Sequence, residues 1–495
     1  MNSAPTITDR ITSIKNLLNC GDVKSLIDEF NNSKNNSSHI NDYKYILNKE
    51  ELNFVNIINK LNGKLTYIKS GTTGHTFKGI SNIDNKQIEY AIKVVPFPKK
   101  NFGTRDDIQR PENAELNIIK LLSYFVINSY TPHIILPITT FDTDIELFAK
   151  LVDNGYISEQ NNKYLEFIKK YKKNKYYSKV SILISEWANG GDLLEYIRNN
   201  HNTMNLLEWK VIIFQILSVL AIIHFKYPSF KHNDLKANNI MVHHINLNKK
   251  IITYTINNIT YKIPNIGIQI KITDFDFSCI SNIVKNNKVE SDWASNININ
   301  SQQNQYYDIH YFFNTLIHFI PTVMSSPNVP NEIKIFINDV VPLKYQTCNT
   351  PFIHEKCRLL IQDEYTTPAK LLATNILFNT FKQSNSQINS TKLSSIHNIK
   401  SESISNSQTI HINPSITNTQ INNTNKINNN KQQTINNNKQ ITNNNEFNIM
   451  KFMSPNNTEA NLLKLIKNNN CNLNNKQKKI ELATFESHQS YLNCL

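Results

Sequence analysis

An α+β fold is what this chain predicts, a β-rich part followed by a mostly helical one. Two observations carry that expectation. Short strand-like runs, Leu65–Ile68 and Tyr90–Val95, fall within residues 65–100, whereas from residue 191 onward the apolar residues recur mostly at helical spacing. The 495 residues leave room for such a unit and for further segments on either side of it.

Taken in order, residues 1–60 carry Ile11, Ile14, Leu17 and Leu18, then Val23, Leu26 and Ile27, a spacing that predicts a small helical extension without a catalytic constellation. The main unit is expected over 61–382. Its first helix is predicted around Ala114–Phe125, where Leu116, Ile119, Leu122 and Val126 share a face. Strands are predicted within 133–148 and 179–186. Between them an insert near 149–178 is rich in lysine and shows no steady apolar period, which argues against a separate domain. Helices are expected through Val211–Ile223 and Tyr306–Ile320. A second insert, 243–268, reads as a long hairpin because Thr and Ile alternate in part between Asn-Lys and Pro-Asn breaks. Residues 383–450 are dominated by Asn, Ser, Gln, Thr and Lys and cannot bury enough area to offset their ordering entropy, so disorder is expected there. Residues 451–495 regain some Leu, Phe and Tyr, as a short C-terminal segment would.

Composition narrows the function. No apolar run approaches bilayer length and the start lacks a signal-peptide core, so no membrane association and an intracellular, cytoplasmic location are expected. Cys20, Cys279, Cys348, Cys357, Cys471 and Cys494 are too scattered for a disulfide scaffold or zinc knuckle and read as free thiols. The formal charge of +14 is spread over linkers, insert and tail with no compact arginine-rich element, so no specific nucleic-acid partner is predicted. Oligomeric state is left open.

The chemistry-bearing residues form an ordered series. Gly71-Thr72-Thr73-Gly74-His75 follows a strand; its glycines allow the backbone to bend over an anion, and N–H groups around the threonines can meet phosphate oxygens. Lys93 lies in the next apolar strand, where a buried ammonium needs an acidic partner. Glu115 on the following helix is the best candidate, with Glu112 one turn earlier as a substitute. Within His232–Asn239, Asp234 can orient a hydroxyl and take its proton, Lys236 can offset phosphoryl charge, and Asn239 can bind Mg²⁺ through its amide oxygen. Asp274 adds a second hard oxygen ligand from another segment.

In this order the residues resemble the eukaryotic protein kinase superfamily, especially its serine/threonine branch, over roughly 65–382. The resemblance implies a bilobal protein-kinase-like fold that uses ATP with Mg²⁺, or Mn²⁺, to phosphorylate a protein substrate. It assigns Asp234 and Lys236 to catalysis, Asn239 and Asp274 to the metal, and Gly71, Thr72, Thr73, Gly74, Lys93 and Glu115 to the nucleotide phosphates. Ile184-Ser-Glu-Trp-Ala188 resembles the inter-lobe hinge, so Glu186 and Ala188 are assigned to adenine through their backbone. Asp308 matches the buried aspartate that braces the catalytic loop, and Thr367–Leu372 with Phe378 the closing helix. The asparagine-rich composition resembles kinases of amoebal giant viruses, which places the chain inside a host cell. Two alternatives are carried: a small-molecule phosphotransferase of related fold, and a pseudokinase binding module. They rest on departures from the pattern. Lys69 replaces a loop glycine, Asn233 the arginine that meets a phosphorylated activation segment, and Asp276 the glycine of Asp-Phe-Gly, while 277–307 lacks an Ala-Pro-Glu ending.

Overall fold

The computed structural model describes residues 7–21, 50–152 and 161–383 apart from 62, 72, 84–85, 101 and 248, together with 157 and 409–410. Leu65, Phe77, Ile92, Val94, Ile182 and Ile184 are buried at alternate positions of extended segments, the period that a sheet covered on one face demands. Strands β1 (Gly63–Ser70), β2 (His75–Ile83), β3 (Lys86–Pro98), β4 (Pro137–Asp144) and β5 (Tyr176–Glu186) form one antiparallel sheet in the order β1-β2-β3-β5-β4. Helices α1 (Ile7–Gly21), α2 (Phe54–Lys60) and α3 (Pro111–Ile127) belong to this N-terminal part; α3 starts with Pro at its first turn, where a missing N–H costs nothing. Val23, Leu26 and Ile27 lie outside the described residues.

The lysine-rich insert contains helix α4 (Asn162–Lys172), in which Tyr164, Phe167 and Ile168 are buried at i, i+3, i+4 spacing. A helix there was not anticipated, because lysine between the aromatic positions obscured the period.

Beyond β5 the chain becomes helix-rich. Asp192 caps α5 (Leu193–Asn200), and an Asn205/Glu208 capping box opens α6 (Leu206–Lys226). By length and composition α6 is apolar enough to cross a membrane, which corrects the expectation that no run reaches that length; 78% of its apolar window is buried inside the protein. Apolar on every side, it is the central core helix. Short strands β6 (Phe230–Lys231) and β7 (Ile240–His244) flank the loop that carries Asp234, and β7 pairs with β10 (Ile268–Ile272). The second insert contains hairpin β8 (Ile251–Ile256)/β9 (Ile259–Pro264), whose buried Tyr254 and Tyr261 pack on Phe214 of α6. Strand β11 (Cys279–Ile280), helix α7 (Tyr307–Phe319) and helix α8 (Pro368–Thr374) complete the part that concerns the site. The architecture is α+β, a sheet-bearing N-terminal region followed by a helix-rich C-terminal one. Residues 451–495, and all but 409–410 of the segment from 384 to 450, lie outside the described residues.

Candidate active site

Lys93 is where the two regions meet. Register in β3 sets it opposite Leu183 of β5 and Thr76 of β2, and its ammonium reaches Glu115 Oε1 of α3 at 2.6 Å and Asp274 Oδ1 at 2.8 Å. The alternative Glu112 instead meets Arg110 at 3.1 Å. Burial opposes charge on Lys93, but Asp274 and then Glu115 outweigh it and hold the ammonium well above the ordinary lysine range. Burial likewise raises Asp274, and Lys93 overcomes this to bring the carboxyl down to about 2. For Glu115, burial prevails over Lys93 and the carboxyl moves upward. Asp274 sits at φ +65°, a left-handed conformation that aspartate tolerates better than most residues.

Asp308, at the start of α7, accepts the backbone N–H groups of His232 at 2.7 Å and Asn233 at 2.9 Å. That fork holds the loop while Asn233 takes φ +61°. Asp234 is then fixed from three sides: Arg358 donates to Oδ1 at 2.7 Å, Lys236 Nζ lies 3.1 Å from Oδ2, and Asn239 Nδ2 donates to Oδ2 at 3.1 Å and to the backbone oxygen at 2.9 Å. Burial raises the Asp234 carboxyl, but Lys236 and Arg358 together hold it below its ordinary value. Arg358 also donates to Asn233 O and stacks over Tyr311 at 4.2 Å. Sequence reasoning missed it.

Gly71 N–H donates to Gly74 O at 2.8 Å, closing the turn between β1 and β2. Gly74 is required there: a Cβ would come within 2.6 Å of Val94 O. Thr73 is half-buried in the same turn, and Thr72 lies outside the described residues. Helix α4 covers the turn's end, with the rings of Tyr164 and Phe167 packed at an angle against His75 at 4.3 and 4.7 Å. Burial alone lowers His75 to about 4, so it packs as a neutral ring. Lys69 reaches toward Asp192 at 4.0 Å, and Lys163 of α4 is lowered first by burial and then by Lys69 and Lys236. Three ammoniums thus gather at the mouth of the site.

At the end of β5, Glu186 N–H donates to Leu136 O at 3.0 Å, and its carboxylate takes Lys271 Nζ of β10 at 2.7 Å and Arg10 Nε of α1 at 2.9 Å. Arg10 further donates to Pro132 O and Ile134 O, each at 2.9 Å. Burial would raise Glu186, but Arg10 and Lys271 overcome it and hold the carboxyl at about 2. Among the described residues, the backbone groups of Trp187 and the buried Ala188 have no hydrogen-bond partner. Neither Arg10 nor Lys271 was flagged by sequence, although rarity hinted at Arg10 and Arg358: only five of the 53 basic residues are arginines.

Asp276 does not take a left-handed backbone, so the glycine it replaces is not needed for turn freedom. Its carboxylate, raised by burial, is met by Lys288 at 2.7 Å, and Asn286 donates to its backbone oxygen at 2.9 Å. Asn233 Nδ2, in place of a charged group, donates to Phe277 O at 3.1 Å. The polar stretch after it still folds around a small core of Cys279, Val289, Ala294, Ile297 and Ile299.

A lysine clamped between two carboxylates, one of them on a loop facing a second aspartate/asparagine pair, defines a phosphotransferase site. Comparison with known proteins narrows this. The poxvirus serine/threonine protein kinase family matches residues 105–366, so the chain belongs to that family and is a serine/threonine protein kinase. A protein of Acanthamoeba polyphaga mimivirus named "Putative serine/threonine-protein kinase" is 45% identical over 384 residues, 76% of this chain and 80% of the relative. Serine/threonine-protein kinase 2 of monkeypox virus is 26% identical over 266 residues, 52% of this chain and 51% of its own length. The swinepox virus counterpart is 29% identical over 140 residues, 27% of this chain and 28% of its own.

Proposed function

We propose that the chain transfers the γ-phosphoryl group of Mg²⁺-bound ATP to serine or threonine hydroxyls of a protein substrate, within a bilobal kinase fold spanning 61–382. The observation that carries this reading is the Lys93 ammonium bridging Glu115 and Asp274 while Asp308 holds the Asp234 loop opposite. The residues fit the nucleotide. The unpartnered Trp187–Ala188 backbone, continuing from Glu186, is suited to an adenine edge. The Gly71–Gly74 turn brings the backbone close enough for phosphate oxygens, and Lys93 carries a fixed positive charge for them. Asn239 commits its amide nitrogen to Asp234, which leaves the amide oxygen for a cation beside Asp274.

When bound, Mg²⁺·ATP supplies the electrophilic phosphorus and neutralises its oxygens. Asp234, kept ionised by Lys236 and Arg358, orients the substrate hydroxyl and accepts its proton as the oxygen attacks. Lys236 and Lys93 offset charge on the moving phosphoryl group. Asp234→Ala is expected to lower transfer to a mixed Ser/Thr peptide library by at least 10³-fold, on the order of 4 kcal/mol of transition-state stabilisation, with nucleotide affinity nearly unchanged. Wild-type protein that transfers nothing with Mg²⁺ or Mn²⁺, to peptides or to small alcohols, would sink the catalytic reading.

A further inference from the structure

Away from the active site, three side chains with metal-binding atoms converge. The last turn of α7 carries His318, three shorter helices lead on to Cys348, and a loop returns to Cys357. Their donor atoms all lie within 4.8 Å of one another, and the two sulfurs are 3.2 Å apart. A tetrahedral ion about 2.3 Å from each sulfur and about 2.0 Å from the imidazole nitrogen sets the donors roughly 3.5–3.8 Å apart. The two sulfurs, now 3.2 Å apart, therefore part by about half an ångström to admit the ion. Oriented ring nitrogen is also part of the arrangement: His318 Nε2 lies 2.7 Å from Gln346 O, and the tautomer that donates this bond carries its lone pair on Nδ1. A carbonyl holding the far nitrogen is the usual support of a metal-bound histidine.

We propose that His318, Cys348 and Cys357 bind a structural zinc ion. Two thiolates and an imidazole are a soft donor set that selects Zn²⁺ over the Mg²⁺ used in phosphoryl transfer. His354 lies on the same loop but outside this cluster, so three protein ligands hold the ion and a water molecule completes its tetrahedron. Binding releases the two thiol protons to solvent and forms two Zn–S bonds. No electron is transferred.

The position of the site gives it a purpose. Cys357 has φ +63°, a strained conformation that a non-glycine residue holds only where its surroundings enforce it. The next residue is Arg358, which reaches Asp234. One helix supports the whole path: on α7, Asp308 braces the catalytic loop, Tyr311 underlies Arg358, Asn314 donates to Tyr345 O at 3.2 Å and Cys357 O at 3.4 Å, and His318 faces the thiols. The ion pins the loop that delivers Arg358.

Full-length protein purified under reducing conditions, stripped with chelator and titrated with Co²⁺ tests this without reference to catalysis. Wild type is expected to bind one cobalt per chain with a thiolate-to-cobalt charge-transfer band and the visible bands of tetrahedral geometry, all abolished by Zn²⁺. Cys348→Ser and His318→Asn are each expected to lose the charge-transfer band or weaken cobalt affinity at least tenfold, with near-ultraviolet circular dichroism reporting that they fold. Cys20→Ser/Cys471→Ser/Cys494→Ser is expected to retain the bands. The proposal is overturned if wild type gives no thiolate–cobalt band, if the bands survive Cys348→Ser and Cys357→Ser together, or if peptide mapping shows Cys348 and Cys357 joined as a disulfide that reductant opens without creating a metal site.

Discussion

At Asp234, Arg358, Lys236 and Asn239 share one carboxylate, and the two cations decide its charge. Because they hold the carboxyl below its ordinary value against the pull of burial, removing Arg358 lets it rise. In Arg358→Met the acid limb of the kcat–pH profile is therefore expected to move to higher pH. Initial rates from pH 3 to 7 check this, and an unmoved limb would show that Arg358 does not tune Asp234. A second carboxylate obeys the same logic. Asp276 is buried and balanced by Lys288, so Lys288→Met strands a charge and is expected to destabilise the fold by about 3 kcal/mol. Adding Asp276→Asn is expected to recover most of that loss, which a double-mutant cycle in urea measures directly. If the two effects simply add, the pair is not coupled.

Elements differ in how far their sequence announces them. Strands β1, β3 and β5 and helices α3 and α7 were legible because each buries one face at its own period, and Asp234, Asn239 and Asp274 because their spacing is local to two loops. Helix α4 was hidden, since Tyr164, Phe167 and Ile168 are separated by lysines that dominate the composition of the insert. Helix α6 was underrated for the opposite reason: Lys210, Gln215 and His224 interrupt a run that is otherwise apolar all round. Arg10, Lys271 and Arg358 had no local signal, as each finds its carboxylate more than 80 residues away in the chain. The placement of α4 over the Gly71–Gly74 turn has a measurable consequence. Tyr164 packs edge-on against Tyr67 and at a tilt against His75 and donates to Phe148 O at 2.7 Å, so Tyr164→Ala removes the lid of that turn. We expect KM for ATP to rise several-fold with kcat within about twofold, alongside a stability loss of about 3 kcal/mol. Equal loss of kcat and kcat/KM would instead place α4 in the transition state.

Across the whole molecule, the Arg10–Glu186–Lys271 cluster joins three distant pieces of chain: the N-terminal helix, the end of the five-stranded sheet, and the strand that leads to Asp274. Its carboxylate titrates at about 2 in the folded protein, against an ordinary 4.5. A depressed carboxyl contributes stability that is present in full above its unfolded value and is lost as pH falls through the folded one, here between about 4.5 and 2. The amount is on the order of 3 kcal/mol. Arg10 is the stronger partner of Glu186, its charge lowering the carboxyl more than that of Lys271, which burial and repulsion from Arg10 hold down to about 8. In Arg10→Met, burial acts on Glu186 with only Lys271 to oppose it, and the folded carboxyl moves up toward its ordinary value. Two changes are then expected together. Stability at pH 7 drops by about 3 kcal/mol, because a buried pair has lost one member. The steep acid loss between about pH 4.5 and 2 flattens, because folded and unfolded states now bind protons at similar pH. Urea unfolding at several pH values between 3 and 7 reads both. A mutant that lost stability at pH 7 yet kept the wild-type slope in acid would mean that Arg10 anchors α1 through Pro132 and Ile134 alone, with no electrostatic hold on the end of β5.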